Sequence, residues 1–309
     1  MWYLWALGAA ALLALMLYVS YRLSNTIIHP ARDTREAAIA TEIERGNLTE
    51  GEIDRFVGEE GELTAFDGVK LRYTWLRCGV PTNKACVLVH GFSSRWEHVV
   101  KYAKLYLERG YDALLFDHRN SGESGGTYTT MGFRERRDLK DMVAFARLDK
   151  GYPQRETVVG AHGESMGAAT ALLTACMEEP PDFVVADCPY ADLTGQLSYN
   201  VRSVKHLPAH PFRPLSSAIT RIRAGFRYRD VSPLREIMEK DGLPEVPILF
   251  IHGEADTLIP CEASKRLFEA KRGVKELHIF PGAGHARSIV ADRAKYKTIL
   301  YAFLQKCGF

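Results

Sequence analysis

The sequence has little that would support a metal site or a disulfide framework. None of its six cysteines belongs to a C-x-x-C pair, and none lies beside a histidine at the spacing of a zinc site. Four of them fall in apolar stretches, where a free thiol packs as a small hydrophobic group. We therefore expect unpaired thiols, no metal site and no cofactor. The six positions are Cys78, Cys86, Cys176, Cys188, Cys261 and Cys307.

The sequence also lacks any long run of one charge. Its 40 basic and 38 acidic residues are dispersed and leave a formal net charge of +2. No basic stripe is available to follow a phosphate backbone, so nucleic acid is not an expected partner. Internal repeats and low-complexity tracts are absent too. A hydrophobic content of 46% with 25% charged residues is typical of a folded globular chain.

Charged side chains are missing from the first 21 positions. At ~1.5 Å rise per residue, about twenty apolar residues cross the ~30 Å hydrocarbon core of a bilayer. Trp2, Tyr3 and Trp5 lie at one end of this segment and Tyr18 and Tyr21 at the other, where aromatic rings favour the two headgroup regions. We interpret residues 1–21 as a transmembrane anchor.

A cleaved signal peptide is the competing interpretation of the same segment. No lysine or arginine precedes the apolar run and no A-x-A-like site follows it, which favours the anchor. Arg22, Arg32 and Arg35 follow the segment, so the positive-inside rule slightly favours a cytoplasmic catalytic domain.

Residues 22–62 are predicted to be a polar, partly helical connector. Helical stretches are expected around Ala31 to Arg45 and around Glu50 to Val57, and Thr49 with Glu52 forms a potential capping box for the second. No chemistry is visible in this connector.

Residues 63–309 alternate short β-rich runs with amphipathic helical stretches. The predicted strands are VKLRYTWL, ACVLVH, DALLFD, TVVGAH, FVVAD, VPILFIH and KELHIF. The predicted helices run from Trp96 to Arg109, Phe133 to Leu148, Met166 to Met177, Glu262 to Lys271 and Ile289 to Gln305. This alternation predicts an α/β fold with a mostly parallel twisted sheet and helices on both faces. Ligand sites in such sheets open at the carboxyl ends of the strands.

The alternation stops over about residues 192–241, where four prolines and the basic stretch 221–229 interrupt it. The prolines are Pro208, Pro211, Pro214 and Pro233. An insertion at this point is expected to form a small lid over the pocket and to influence substrate choice. The arginines of the insertion are interpreted as a solvated face, with contact to anionic lipid or substrate as the alternative.

The most specific motif is Gly163-Glu164-Ser165-Met166-Gly167, which follows the strand TVVGAH and opens an alanine-rich helix. A strained strand-to-helix turn exposes the serine, and the glycines let neighbouring backbone pass close by. Ser165 is therefore the predicted nucleophile.

A serine hydroxyl needs a base to take its proton, and the base needs an orienting carboxylate. The order in this fold is Ser, then Asp or Glu, then His, which selects Asp256 after the strand PILFIHG and His285 after the strand KELHIF. Other candidates stay open at this stage. For the acid they are Glu254, Asp187 and Asp192, and for the base His162, His252 and His278.

Two backbone N–H groups are expected to stabilise the oxyanion of the reaction. One belongs to Met166, directly after the nucleophile, and the other to Phe92 in the loop His90-Gly91-Phe92. The motif Asp117-His118-Arg119-Asn120-Ser121-Gly122-Glu123-Ser124 is expected to shape a loop beside the site. Its Ser124 lacks the context of a nucleophile.

These motifs together resemble the α/β-hydrolase superfamily over about residues 60–305. The likeness is greatest to bacterial membrane-anchored hydrolases related to the serine aminopeptidase and prolyl oligopeptidase group. The resemblance implies the same triad and oxyanion donors. Asn120 departs from the glycine that many relatives have, and the chain has no propeller domain, which removes the main reason to expect oligopeptidase activity.

The function predicted from the sequence is a membrane-anchored serine hydrolase, most simply a carboxylesterase or thioesterase that works through an acyl-enzyme. A lipophilic acyl ester or thioester is the expected substrate. A peptidase or acyltransferase of the same fold is the alternative within this class. A non-catalytic interaction protein that keeps the fold is the alternative outside it, and it is disfavoured because no triad member is missing.

Overall fold

A computed structural model describes residues 1–56, 58–153 and 156–309. Its centre is one eight-stranded sheet with the order β1-β2-β4-β3-β5-β6-β7-β8. β1 and β2 are antiparallel to their neighbours, and the other pairings are parallel. The strands are β1 Glu59–Thr64, β2 Lys70–Leu76, β3 Lys84–Val89, β4 Asp112–Phe116, β5 Val158–Glu164, β6 Val184–Asp187, β7 Ile248–Gly253 and β8 Lys275–Phe280.

Helices cover both faces of the sheet, and a separate hydrophobic core lies under each layer. β4 and β7 are buried along their whole length, as expected for parallel strands with helices on both sides. The predicted α/β architecture is confirmed. The helices are α1 Trp2–Ile28, α2 Arg35–Glu44, α3 Glu52–Arg55, α4 Val100–Glu108, α5 Glu135–Asp149, α6 Met166–Ala175, α7 Leu193–Ser203, α8 Ala209–Ala224, α9 Pro233–Glu239, α10 Glu262–Ala270, α11 Ser288–Ala291 and α12 Arg293–Lys306.

β1 begins inside the segment predicted to be a helical connector, residues 22–62, and ends two residues beyond it. Half of its sequence, EEGELT, is glutamate, most of it is exposed, and its pairing with β2 makes it a strand. An edge strand needs no apolar alternation on its solvent side, so the sequence carried no signal for it. The connector helix α3 begins at Glu52 with Gly51 as its N-cap residue, so the capping box expected from Thr49 does not form. The backbone N–H of Thr49 still donates to the Glu52 carboxylate at 2.8 Å. Val57, where that helix was expected to end, lies outside the described residues.

α1 extends beyond the predicted anchor and ends at Ile28. By length and composition it is a candidate membrane span, and only 6% of its most apolar 18-residue window is buried. Ser20, Ser24 and Ile28, which recur every four residues, are fully buried and face the domain. The Ser24 hydroxyl lies 2.8 Å from that of Thr220 on α8. The C-terminal turns of α1 are therefore part of the folded domain.

The insertion over residues 192–241 is more regular than the sequence indicated, since it consists of α7, α8 and α9. Two of its prolines mark helix starts: Pro208 is the N-cap residue of α8, and Pro233 is the first residue of α9. Proline suits a first turn because the N–H that it lacks would have no partner there. The expectation that the prolines interrupt any regular pattern was wrong for Pro208, Pro214 and Pro233. It holds before Pro211, where His210 has non-helical backbone angles (φ −102°, ψ 134°) and α8 is kinked.

Ile28→Ala is expected to lower the free energy of unfolding by about 2–5 kcal/mol, because it removes a fully buried side chain. Leu148→Ala, at an 81% exposed position on α5, is the matched control and is expected to change it by less than about 0.5 kcal/mol. The measurement is denaturant unfolding of the full chain in detergent micelles. Equal midpoints for the two variants would contradict the packing of α1 on the domain.

Candidate active site

Ser165 lies on a sharp turn between β5 and α6. Its backbone has φ 57° and ψ −116°, a conformation that costs energy for any residue with a Cβ. The flanking glycines make the turn possible. A Cβ on Gly163 would lie 2.3 Å from the carbonyl carbon of Gly167, and one on Gly167 would lie 2.1 Å from the carbonyl oxygen of Val89. The turn holds the serine side chain at the carboxyl edge of the sheet.

The structure brings Ser165, Asp256 and His285 together. Nε2 of His285 lies 2.9 Å from Oγ of Ser165, and Nδ1 of His285 lies 2.7 Å from Oδ2 of Asp256. The three residues follow β5, β7 and β8, so parallel strands deliver them to one edge. This arrangement suits proton transfer from the hydroxyl to an imidazole that a carboxylate orients.

Asp256 is held as a carboxylate by its neighbours. Its Oδ1 accepts hydrogen bonds from the backbone N–H groups of Leu258 and Ile259, both at 2.9 Å. His252 lies 3.3 Å from Oδ2. Burial alone would raise the pKa of this carboxyl, but the hydrogen bonds from His252, His285 and the Ile259 backbone outweigh burial and hold the pKa well below its usual range.

The other candidates for the base lie elsewhere. His162 is buried between the hydroxyls of Tyr106 and Tyr296, and burial lowers its pKa to about 3. His278 lies beside Glu276. His252 contacts Asp256, so it supports the acid and does not touch the serine.

The other candidates for the acid also have different partners. Asp192 caps α7 through the Gly195 N–H, and Glu254 accepts weakly from the Gly282 N–H at 3.4 Å. Asp187 accepts hydrogen bonds from the hydroxyls of Tyr102 and Tyr296, both at 3.0 Å. Among the described residues, Asp256 is the carboxylate that contacts His285.

A buried ionic cluster lies behind the nucleophile, and sequence reasoning missed it. Lys101 is 1% exposed, and its ammonium lies 2.7 Å from Glu164, the residue before Ser165. Glu42 of α2 lies 3.9 Å from the same ammonium. Burial and the nearby Glu164 carboxylate raise the pKa of Asp187 to about 6. Lys101 belongs to an amphipathic helix, and nothing in its sequence context distinguishes it from a surface lysine.

The backbone groups expected to bind an oxyanion lie at the same place. Met166 is the first residue of α6, so its N–H has no partner inside the helix. Phe92 follows Gly91, where an added Cβ would be 3.4 Å from Cβ of Ser165. Phe92, Met166 and Ser165 line one pocket.

The Asp117–Ser124 loop contains Asn120, at a position where the resemblance leads us to expect glycine. Asn120 has φ 59°, the left-handed region that favours glycine. The hydrogen bonds of its side chain offset the strain of this conformation and connect the loop to the end of α1. Nδ2 donates to the carbonyl oxygen of Ile28 at 3.3 Å, and Oδ1 accepts from Arg32 at 2.6 Å. Arg119 forms short ion pairs with Asp138, so it stabilises the loop as expected.

The pocket beside Ser165 is mainly apolar and has a volume of about 240 Å³. Its walls come from α1, from α7 and α8 of the lid, and from loops at the sheet edge. Leu23, Thr26 and Ile27 of α1 form one side, and Leu197 and Val201 of α7 belong to the lid side. The helix that is the candidate membrane span therefore also forms part of the pocket wall.

Two members of the triad and a neighbouring cysteine together have the composition of a metal site. Ligand atoms of Cys188, Asp256 and His285 lie within 4.8 Å of one another. Both ring nitrogens of His285 already have partners, Ser165 and Asp256. Burial raises the pKa of the Cys188 thiol well above its usual range, which disfavours the thiolate that metals bind. The contacts fit acid–base chemistry better than metal ligation.

The sequence profile of the prolyl oligopeptidase family matches residues 97–308. An uncharacterised protein of Bacillus subtilis, YqkD, is 35% identical over 306 residues, which cover 96% of each chain. The thiohydrolase aneE of Aspergillus aculeatus is 33% identical over 138 residues, or 44% of this chain and 42% of its own length.

Solved structures show the same fold. The esterase Pf2001 of Pyrococcus furiosus is similar with a TM-score of 0.66 and 27% identity, and the match covers 91% of this chain and 98% of that one. The expected relation to the α/β-hydrolase superfamily is confirmed.

Gly167→Ala is expected to destabilise the protein by about 1–3 kcal/mol or more, because the new methyl group would overlap the Val89 carbonyl oxygen. The matched control is Gly284→Ala, where the added Cβ meets no atom within 4 Å. Thermal unfolding of the full-length variants in detergent checks both. A Gly167→Ala protein as stable as the control would contradict the close approach at this turn.

Proposed function

The chain belongs to the prolyl oligopeptidase family and is a serine hydrolase of the α/β-hydrolase fold, and we propose that it is anchored in a membrane and cleaves ester or thioester bonds of lipophilic acyl compounds. The contact that carries the proposal is the chain of hydrogen bonds from Ser165 through His285 to Asp256, at 2.9 and 2.7 Å. The apolar pocket next to this serine supports an acyl substrate.

In the proposed acylation step, Nε2 of His285 takes the proton of Ser165 as Oγ attacks the carbonyl carbon. The N–H groups of Met166 and Phe92 stabilise the negative charge on the carbonyl oxygen. The imidazolium then gives the proton to the leaving alcohol or thiol, and an acyl group remains on the serine. Asp256 keeps the imidazole in the tautomer that accepts at Nε2 and stabilises its charged form.

In the deacylation step, His285 takes a proton from water as the water oxygen attacks the acyl carbon. The collapse of the second intermediate returns the proton to Oγ of Ser165 and releases a carboxylic acid. One serine and one histidine thus serve both half-reactions.

Ester or thioester cleavage is favoured over aminopeptidase action by what lines the pocket. An aminopeptidase needs a carboxylate to bind the free amino group of its substrate. No aspartate or glutamate is among the described residues that line this pocket. Two relatives, the thiohydrolase aneE and the esterase Pf2001, carry names that agree with this choice.

The position of α1 supports a lipophilic substrate held near a bilayer. A span of about twenty residues that starts at Trp2 ends near Tyr21, and pocket residues Leu23, Thr26 and Ile27 follow within two turns. The pocket would then open close to the headgroup layer, where amphiphiles present their ester bonds. Three basic residues after the span favour a cytoplasmic domain in this proposal.

Ser165→Ala is expected to lower kcat for p-nitrophenyl esters by roughly a millionfold, the scale seen when the nucleophile of a triad is removed. It is also expected to abolish labelling by a fluorophosphonate probe. The control is Ser203→Ala, an exposed serine at the end of α7, which should retain both signals. Labelling that persists in the Ser165 variant would refute this nucleophile.

Ile27→Trp is expected to shift the acyl-chain optimum to shorter esters, because the larger ring fills part of the pocket. The measurement is kcat/KM across p-nitrophenyl esters of increasing chain length, with the full chain in detergent. Val80→Trp, at a 60% exposed loop position, is the control and should keep the wild-type optimum. An unchanged optimum for Ile27→Trp would show that acyl chains bind elsewhere.

A further inference from the structure

α8 of the lid packs antiparallel against the C-terminal half of α1. Thr220 of α8 lies beside Ser24, and one turn further on the guanidinium of Arg223 lies 4.6 Å from the ring centroid of Tyr21. Arg223 also donates to the Asn25 side chain at 3.0 Å. As α1 runs from its apolar end towards the domain, α8 therefore runs in the opposite direction and ends at the level of Tyr21.

That level coincides with the expected edge of the bilayer. The fifteen residues that precede Met16 are all exposed. Met16 is the first partly buried residue of α1, and Ser20 is the first fully buried one. The rings of Tyr18 and Tyr21 are 56% and 45% exposed, as suits side chains at a membrane interface. The headgroup layer adds about 5–8 Å beyond the hydrocarbon core. The end of α8 reaches this layer in a membrane-anchored chain.

We call residues 221–229 the lid tip. It has four basic residues within nine positions: Arg221, Arg223, Arg227 and Arg229. Arg213, about two turns earlier on α8, lines the same groove as three of them. Ile222 at the same place is 86% exposed, the most exposed isoleucine or leucine outside α1. An exposed apolar side chain between two arginines is the pattern of a surface that meets both charged headgroups and the acyl boundary.

Much of this positive charge is not neutralised by the protein. Arg213, Arg221, Arg227 and Arg229 line one groove of about 420 Å³, and no aspartate or glutamate is among its described lining residues. Across residues 1–56, 58–153 and 156–309, no carboxylate lies within ion-pair distance of Arg221 or Arg227. Arg229 has one such contact, with Asp230 at 4.0 Å.

We propose that the lid tip binds anionic phospholipid headgroups of the leaflet from which α1 emerges, with Ile222 placed among the headgroups. The proposal rests on the membrane anchoring in the proposed function. Guanidinium groups pair well with phosphate because they offer two parallel donors. Anionic lipids concentrate in the cytoplasmic leaflet, where arginines near the surface gain most from the negative potential.

The test uses the full chain with Ile222 replaced by the photoreactive residue benzoylphenylalanine. The protein is reconstituted in vesicles of phosphatidylcholine, or of an equal mixture with phosphatidylglycerol, then irradiated and weighed intact by mass spectrometry. We expect a lipid adduct at position 222, with phosphatidylglycerol captured several-fold more often than its share of the mixture. Absence of an adduct, or capture in proportion to composition, would overturn the proposal.

Two further positions for the photoreactive residue show which part of the proposal fails if no lipid adduct forms at position 222. Leu148 is 81% exposed at the end of α5, where neighbouring Lys150 pairs with Asp112 at the amino edge of the sheet, opposite the lid. Benzoylphenylalanine there should give no adduct, and an equal adduct would overturn the proposal. Leu12 lies within the candidate span and is 59% exposed. An adduct at Leu12 without one at Ile222 refutes the lid contact alone, whereas failure at both refutes the anchor as well.

The charge of the lid tip is tested separately from its position. The double variant Arg221→Gln with Arg229→Gln should keep the adduct at position 222 but lose the preference for phosphatidylglycerol. Neither arginine lines the pocket beside Ser165, so fluorophosphonate labelling should match the wild-type chain. A retained lipid preference would overturn the charge component, and loss of labelling in the wild-type chain would point to failure of the proposed chemistry instead.

Discussion

The active site depends on one close approach of two backbone segments. α6 begins so near the end of β3 that an added methyl group on Gly167 would lie 2.1 Å from the Val89 carbonyl oxygen. This approach turns the chain at Ser165 and puts the N-terminus of α6 beside the loop that contains Phe92. Nucleophile and both expected oxyanion donors are thus arranged by backbone packing. Asp256 and His285 reach the same edge because they follow β7 and β8, which run parallel to β5.

This part of the site was predictable because its constraint is local. The turn between β5 and α6 has no room for a side chain at Gly163 or Gly167, and this requirement appears as a motif of five consecutive residues, Gly163 to Gly167. The parallel sheet was predictable for a similar reason, since the buried strands β4 and β7 contain the continuous apolar runs ALLF and ILFI. Asp256 and His285 were selected by the order Ser, then Asp, then His that is expected for this fold, and the structure brings the three together.

The remaining features depend on tertiary contacts that leave no periodic signal. β1 is a strand because β2 pairs with it, whereas half of its own residues are glutamates. Lys101 is buried because Glu164 and Glu42 neutralise it from opposite elements. Asn120 has a glycine-like backbone conformation, and its side chain joins the loop to Ile28. Each of these features depends on a partner distant in sequence. Local motifs and hydrophobic periodicity in one sequence do not reveal such partners.

In the proposed membrane-anchored chain, α1 would be both span and pocket wall, and this has a kinetic consequence. A chain anchored through this helix cannot be released by cutting after residue 28 without losing Leu23, Thr26 and Ile27 from the wall beside Ser165. An enzyme anchored in this way would work where it is inserted, and it would meet the proposed lipophilic substrates by lateral diffusion in two dimensions. Its turnover would then follow the mole fraction of substrate in the bilayer, and diluting the surface with inert lipid would slow it as dilution in water slows a soluble enzyme.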